Sequence, residues 1–531
     1  MPVQEREPYD SHINDVSSNF EPSPVSLQAP STADVGLTMA TEFSIMAAGL
    51  LMVSLFGRLL GPVALGEYLL LRRVLAWLFA GAVLGLGNAL PRYIARSVQR
   101  PAAERRAYFL GASASLVGFT SCVGLILYAG RQSFARWMFG DAKLANLILP
   151  LGLMLIGQAA QTAAYGFYRG ILAMRRANAT QLCNFALIPI AVMLLLYRTH
   201  SVAWIVGVTG ALTVIAAGLF ARLILRQFAK VPSPRVRPYA VELLRYGVGR
   251  VPGDFGGAAL FALGPMIAVH YLPMTQVAYL LLGSNFLMVV GYAAGPLGVV
   301  LLSKLSMMLS QDRLEDVRVS LGHLAGAVLD LSIFVCLQLA VFADVLVRVW
   351  VGSTFLPGTS IVRLLILAVP PYLFYMTLRS SIDAVTVKPR NAGNVLVAVV
   401  VYLALTGVTL KLLPATFLLE EIAGCLVVAL AILGALTART FGQLYNTRIP
   451  WSRCAPTMIA AAVLGGLSFA FRQVVGFHES SVLTVCFELL ISGVFLSVLI
   501  KLDSPWLGFV WKMAFPGRRP LGVAARGEKY A

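Results

Sequence analysis

The chain has 531 residues, of which 58% are hydrophobic and 12% are charged, and its formal net charge is +18. A soluble domain carries about 25% charged residues, so this composition excludes a water-soluble enzyme and a disordered protein. Apolar runs such as 74–90 are continuous rather than alternating, which excludes an outer-membrane barrel. Continuous apolar runs predict helices, because a helix satisfies its own backbone polar groups inside a membrane.

The elements follow in chain order after a polar stretch, residues 1–36, which lacks the basic start and apolar centre of a signal peptide and predicts a disordered tail. About 20 apolar residues are needed to cross the hydrocarbon core. Fourteen predicted spans meet that length, at 37–56, 70–90, 108–128, 144–168, 182–197, 202–225, 251–272, 277–302, 321–345, 361–378, 395–413, 417–436, 457–471 and 482–500.

The distribution of basic residues predicts the orientation of these spans. If the N-terminus is cytoplasmic, 31 of the 42 Lys and Arg residues fall on the cytoplasmic side. Such a bias is typical of inner-membrane proteins, and it predicts that both termini are cytoplasmic. It also accounts for the net charge without a nucleic-acid partner.

A weak internal repeat has an offset of 211 residues: YLLL at 68–71 matches YLLL at 279–282, and Pro62 matches Pro273. The offset superposes spans 1–2 on spans 7–8, which run in the same direction, as in transporters with parallel repeats. The predicted fold is therefore an all-α polytopic membrane protein with about fourteen helices, in two six-helix lobes plus two C-terminal helices. The predicted divisions are a tail (1–36), a first lobe (37–225), a cytoplasmic linker (226–240), a second lobe (241–440), helices 13 and 14 (441–505) and a basic cytoplasmic tail (506–531).

Four motifs carry a resemblance to a known family: FGRLLGPVALGEY at 56–68, GLGNALPRYI at 85–94, LRYG at 244–247 and VGSTF at 351–355. In order and spacing they resemble Wzx-like polysaccharide flippases of the multidrug/oligosaccharidyl-lipid/polysaccharide (MOP) superfamily. The resemblance implies two lobes around a cavity. It also implies translocation of undecaprenyl-diphosphate-linked oligosaccharides across the bacterial inner membrane, for exopolysaccharide, capsule or O-antigen. The implied partners are that lipid-linked sugar, membrane lipids, and a polysaccharide polymerase with its export machinery; a monomer is expected.

The second span carries the clearest candidate site. At 100° per residue, one 120° sector of a continuous helix contains Arg73, Trp77, Gly81, Gly85, Asn88 and Arg92. This polar, glycine-rich stripe predicts a cavity wall that binds a diphosphate and sugar hydroxyls. The alternatives are snorkelling of Arg73 to the interface and an ordinary cytoplasmic charge at Arg92.

Arg250 and Asp254 lie one helical turn apart at the start of the seventh span. They could form a simple ion pair, or Arg250 could bind substrate phosphate through its planar guanidinium. Through the repeat, this pair is expected to face the cavity from the second lobe.

Ion coupling has three candidates. Asp330 lies mid-span with His323 two turns earlier on the same face, and Glu42 lies in the first span. An intramembrane carboxylate beside an imidazole suits a proton or Na⁺ site, although a structural hydrogen-bond network is an equal alternative. Later acids, Glu420, Glu421 and Glu488, are assigned interfacial or packing roles.

No catalytic motif accompanies these residues. The sequence has no GxxxxGK[ST], HExxH or GxSxG, and its six cysteines include no CxxC pair. We therefore expect no catalytic residues, no metal and no cofactor. The function classes that stay open beside the flippase are a lipid II flippase, a drug/cation antiporter of the same superfamily, and a membrane polysaccharide polymerase or ligase.

Overall fold

The computed structural model describes residues 32–232, 235–310, 314–385, 389–412, 417–446, 451–475 and 482–502, and all regular structure within these ranges is helical. The first lobe contains nine helices: α1 (Thr32–Leu55), α2 (Gly61–Ala82), α3 (Leu86–Arg96), α4 (Ala102–Ala129), α5 (Arg131–Phe139), α6 (Ile148–Gly170), α7 (Met174–Leu182), α8 (Ile188–Leu196) and α9 (Val202–Arg226).

The second lobe and the C-terminal pair contain the remaining described helices. These are α10 (Val236–Gly247), α11 (Val251–Ala268), α12 (Met274–Ser310), α13 (Leu314–Val341), α14 (Ala343–Trp350), α15 (Thr359–Ile366), α16 (Val369–Val385), α17 (Arg390–Leu412), α18 (Leu418–Tyr445), α19 (Trp451–Val475) and α20 (Val482–Lys501).

Twelve described helical segments are long and apolar enough to cross a membrane, against fourteen predicted spans. The pair Ser353–Ile366 and Val369–Asp383, bent by 52°, gives a thirteenth when it is counted as one span. The first segment, Gly36–Ala82, has 47 residues and contains the predicted span 37–56 and most of the predicted span 70–90. At 1.5 Å per residue a straight helix of this length would be about 70 Å long, more than twice the hydrocarbon thickness of about 30 Å. Between the two predicted spans, Gly61 has a positive φ of 83°.

We call the side of the membrane where α1 begins the near side, and the opposite side the far side. At the near side Thr38 of α1 accepts a hydrogen bond from Asn178 of α7.

The bend in the tenth span, between α15 and α16, precedes Pro370 and Pro371. Proline removes a backbone donor and disfavours helical geometry in the residue before it, so a helix that is continuous in hydropathy is broken here.

The second span is also broken, which corrects the prediction of one continuous polar stripe. Leu84 and Gly85 both have left-handed backbone conformations, with φ of 50° and 68°, and they separate α2 from α3. Arg73, Trp77 and Gly81 therefore lie on α2, whereas Asn88 and Arg92 lie on α3. Hydropathy does not reveal this break, because its residues are as apolar as their neighbours.

The two lobes meet along α2 and α12. α2 packs on both α11 and α12, and its leucines at 65, 69, 70, 71 and 75 are buried. By contrast, lobe surfaces such as α9 expose Trp204 and Leu219, as expected for helices that face lipid. One hydrogen bond joins Arg73 to Ser284, residues separated by the repeat offset of 211. The hydrogen bond therefore joins α2 and α12 where the two lobes meet.

Candidate functional site and gates

Arg73 is the most distinctive polar group at the lobe interface. Its side chain extends from α2 of the first lobe to α12 of the second, and only 7% of the residue is exposed. The guanidinium donates to Asn285 Oδ1 at 2.9 Å and to Ser284 Oγ at 3.3 Å, and it also contacts Met288 Sδ. The Phe261 ring lies 6.0 Å from its carbon. The predicted alternative, snorkelling to the membrane interface, does not describe this buried position.

All of these contacts of Arg73 are with neutral groups. No carboxylate forms an ion pair with it among the described residues. A cation at the centre of a membrane helix costs about 2.5–3.5 kcal/mol on insertion scales, so an uncompensated one usually has a function. The interface therefore has a buried positive charge that an anionic ligand could neutralise.

Trp77, one turn from Arg73 on α2, belongs to an aromatic cluster. Its ring centroid lies 5.1 Å from that of Phe255 on α11 and 6.0 Å from that of Trp137 on α5. The indole N–H of Trp77 is buried without a hydrogen-bond partner. Trp137 itself is half exposed. The cluster thus offers flat apolar surfaces and one free donor beside Arg73.

The near side of the interface is closed by contacts between α3 and α10. Arg92 donates to the Tyr246 hydroxyl at 2.7 Å and lies 4.9 Å from the centre of its ring. The backbones also touch, because a Cβ added at either Gly85 or Gly247 would overlap backbone atoms of the opposite lobe. Glycine is therefore required at both positions for the close approach of the two backbones. Asn88 of α3, by contrast, is exposed.

A second contact reinforces this near-side gate. The Tyr108 hydroxyl of α4 donates to Glu242 of α10 at 2.7 Å, and the Tyr239 ring packs edge-on against Tyr108, 4.8 Å away. Arg92, predicted to bind substrate, therefore contacts the opposite lobe in this state. Sequence reasoning did not identify the Arg92–Tyr246 contact or the Tyr108–Glu242 contact.

The far side is closed by α1 and the segment after α13. Arg58 donates to the carbonyl groups of Arg348, Val349 and Trp350. Ser54 donates to the Trp350 carbonyl at 2.5 Å, and the Trp350 indole donates to the Leu50 carbonyl at 2.8 Å. The carbonyls of residues 348–350 are at the C-terminal end of α14, and the C-terminal end of a helix favours cations. Arg58 was part of the family-like motif at 56–68, but its role was not predicted.

Arg250 and Asp254 lie at the near-side start of α11, as predicted, but they do not form an ion pair within 4 Å. Arg250 is exposed and lies 5.8 Å from the centre of the Tyr246 ring. Asp254 is influenced electrostatically by Arg250, Arg379 and Asp383. This part of the second lobe is a mixed cluster of charges rather than a simple pair.

Two of the three ion-coupling candidates have described side chains, and they lie in different environments. Asp330 is buried in α13, with 5% of the residue exposed, whereas Glu42 is exposed on α1. The side chain of His323 lies outside the described residues. Within the described part of the chain, no three His, Cys, Asp or Glu residues are placed to share a metal ion.

A buried ionic cluster at the far side was missed by sequence reasoning. Arg472 of α19 pairs with Asp344 of α14 and with Glu488 of α20, the latter at 2.6 Å, and Arg363 of α15 lies 3.5 Å from Asp344. Ser468 also donates to Glu488, at 2.7 Å. The signal was the presence of Arg472 and Glu488 in or beside apolar runs, but their partner Asp344 is more than 120 residues away.

These features describe a multi-pass helical membrane protein whose two lobes contact each other at both ends of their interface. Solved structures with a similar fold include a lipid II flippase and multidrug resistance MATE family transporters of the MOP superfamily. A lipid II flippase MurJ in an inward closed conformation has a TM-score of 0.64 and 15% identity, covering 88% of this chain and 99% of that chain.

A multidrug resistance MATE family transporter of the MOP superfamily is also similar. In the inward-facing conformation it gives a TM-score of 0.61 at 14% identity, covering 78% of this chain and 98% of that one; the outward-facing conformation gives 0.53, 14%, 80% and 99%. No family model and no curated protein sequence matches the chain. The likeness therefore concerns the fold.

Proposed function

We propose that this protein flips polyprenyl-diphosphate-linked oligosaccharides across the bacterial inner membrane by alternating access of its two lobes. The observation that carries the proposal is Arg73: a buried guanidinium between the lobes, contacted by neutral groups among the described residues. A guanidinium binds phosphate through two parallel hydrogen bonds. An anionic diphosphate would satisfy this charge in the middle of the transport path.

Neighbouring groups suit the sugar and the remaining phosphate oxygens. Trp77 provides a flat aromatic surface and a donor without a partner, next to Arg73. When the near-side gate opens, Arg92 loses its contact with Tyr246, so its guanidinium becomes available on the α3 side, with Asn88 one turn away. Arg250 would contribute positive charge from the second lobe, and the nearby Asp254 would offset part of that charge.

Alternating access follows from the two gates. Arg92 and Tyr246 link the lobes at the near side, and Arg58 with the carbonyls of 348–350 links them at the far side. Breaking either set alone would expose the interface to one side of the membrane. The charge bias predicts that the near side is cytoplasmic, with both termini there. The likeness to a transporter solved in inward-facing and outward-facing conformations supports this cycle.

Other functions remain as competing hypotheses. A lipid II flippase would use the same diphosphate chemistry, and the likeness to MurJ supports it. A drug/cation antiporter is expected to have a buried acid at the position between α2 and α12 where Arg73 lies. A polymerase or ligase usually carries a large loop, whereas α5 and α14, the far-side helices of the described chain, have only nine and eight residues.

The energy source is a further part of the proposal. The sequence has no nucleotide-binding motif, so an ion gradient would drive net flipping. Asp330, buried in α13, is the best candidate for the coupling site, followed by Glu42.

Deletion of the gene tests the function in cells. The flippase hypothesis predicts loss of surface polysaccharide together with accumulation of lipid-linked repeat units on the cytoplasmic leaflet. A lipid II flippase predicts lysis with accumulated lipid II instead. An antiporter predicts drug sensitivity with normal polysaccharide, and that result would exclude the proposal.

A further inference from the structure

A cavity lies outside the lobe interface, between α13, α15 and α19. Its volume is about 890 Å³ and most of its lining is apolar, including Ile333, Leu337 and Leu364. Two lining residues on α19, Met458 and Phe469, are more than half exposed. The cavity therefore adjoins the lipid-facing surface of α19 and does not belong to the substrate path described above.

The far-side end of this cavity is polar. Asp344, Arg363 and Arg472 line it, and Arg472 in turn pairs with Glu488. These are two cations and two anions, so the cluster has no net charge. Because it lies at the far-side ends of α13 and α19, it is at the depth where lipid head groups meet the hydrocarbon core.

Two polar atoms at this end lack hydrogen-bond partners. Thr359 lines the cavity, is only 5% exposed, and its buried hydroxyl has no partner. Asp344 Oδ1 is likewise buried without a hydrogen bond, with Arg363 at 3.5 Å as its ion-pair neighbour. Burying polar groups without partners is costly, so a polar ligand at this position would be favourable.

We propose that this cavity binds a far-leaflet phospholipid with an amine head group, of the phosphatidylethanolamine class. Its ammonium would donate to Asp344 Oδ1, and its phosphate would accept from the Thr359 hydroxyl and from Arg363. A head group that is itself neutral matches a neutral cluster, whereas an anionic lipid would leave one negative charge unbalanced in a poorly solvated site.

The size of the cavity supports a lipid with two acyl chains. A methylene group occupies about the same volume as a water molecule in the liquid, roughly 30 Å³. The cavity therefore has room for roughly thirty such groups. That is close to two acyl chains and too small for a whole undecaprenyl chain. The bound lipid would fill the space between α15 and α19, and so would hold the last two helices against the second lobe.

The test uses two adjacent glycines of α19. Gly465 lines the cavity, whereas Gly466 is exposed and a Cβ added there meets nothing within 4 Å. Gly465→Phe fills the cavity, and Gly466→Phe makes the same chemical change on the lipid-facing surface. Purified full-length protein is analysed by native mass spectrometry with equal amounts of phosphatidylethanolamine, phosphatidylglycerol and undecaprenyl phosphate.

We expect retained phosphatidylethanolamine in wild type and in Gly466→Phe, and at least tenfold less in Gly465→Phe. Thr359→Val keeps the shape of the side chain and removes one hydrogen bond, so it should weaken retention by about three- to tenfold. It provides the test should Gly465→Phe not fold. Equal retention in all variants would overturn the proposal, and so would preferential retention of phosphatidylglycerol or undecaprenyl phosphate.

Discussion

The near-side gate gives the sharpest prediction, because one methyl group should hold it open. Gly247 has helical backbone angles, φ −74° and ψ −42°, so alanine fits its conformation without strain. A Cβ at this position would nevertheless overlap the Leu84 carbonyl oxygen of the opposite lobe when the gate is closed. Gly247→Ala therefore penalises the closed gate specifically.

The magnitude follows from the two states. The higher helix propensity of alanine is gained whether the gate is open or closed, so it cancels in the balance between them. What remains is the cost of forcing an extra methyl group into a tight contact, about 1–3 kcal/mol. Since each 1.4 kcal/mol is tenfold, the closed-to-open ratio should fall by about five- to 150-fold.

The assay measures the distance across the near side. Spin labels placed at Arg96 and Arg245, exposed residues of opposite lobes, report gate closure in a cysteine-free background. Gly247→Ala should shift the distance distribution to longer values and slow flipping. The matched control is Gly249→Ala, two residues away, where an added Cβ meets nothing within 4 Å. If the distances of Gly247→Ala match wild type, the gate assignment is wrong.

Substitutions at four further residues test the remaining groups. Arg73→Gln should abolish flipping at a normal protein level, with Arg73→Lys retaining part of it through its point charge; wild-type flipping in Arg73→Gln would exclude the anion site. Arg58→Gln should weaken far-side closure, so that the lobe interface becomes more accessible to a labelling reagent added from that side. Unchanged labelling would argue against closure of the far side by Arg58. Glu488→Gln leaves Arg472 with one acid and should cost about 3–5 kcal/mol of stability, seen as a lower melting temperature. Asp330→Asn should block gradient-driven flipping but not substrate binding, and full gradient dependence in this variant would move the coupling site elsewhere.

Hydropathy and charge predict most of the fold, because membrane helices must be long and apolar and their loops are sorted by charge. Described helices overlap all fourteen predicted spans, although 37–56 and most of 70–90 share one 47-residue helical segment. The breaks are different: the interruption at Leu84–Gly85 lies in an apolar run and depends on contact with Gly247. That contact joins residues far apart in the sequence, so the local hydropathy pattern does not reveal it.

The candidate site was predictable only in part. Arg73 stands out as a charge in an apolar run, but its contact with Ser284, 211 residues later, was not predicted. The far-side cluster was not predictable, since Arg472 and Asp344 are brought together only by the packing of α19 on α13. Glu488 was assigned a packing role, whereas its carboxylate accepts a hydrogen bond from Arg472.

The most direct test of the central claim is flipping by the purified protein in vesicles. A fluorescent undecaprenyl-diphosphate oligosaccharide is placed in one leaflet, an ion gradient is imposed, and its arrival in the other leaflet is followed by quenching or enzymatic modification. The account predicts protein-dependent, gradient-stimulated flipping that is lost in Arg73→Gln. Equal rates in wild-type vesicles and protein-free vesicles would contradict it.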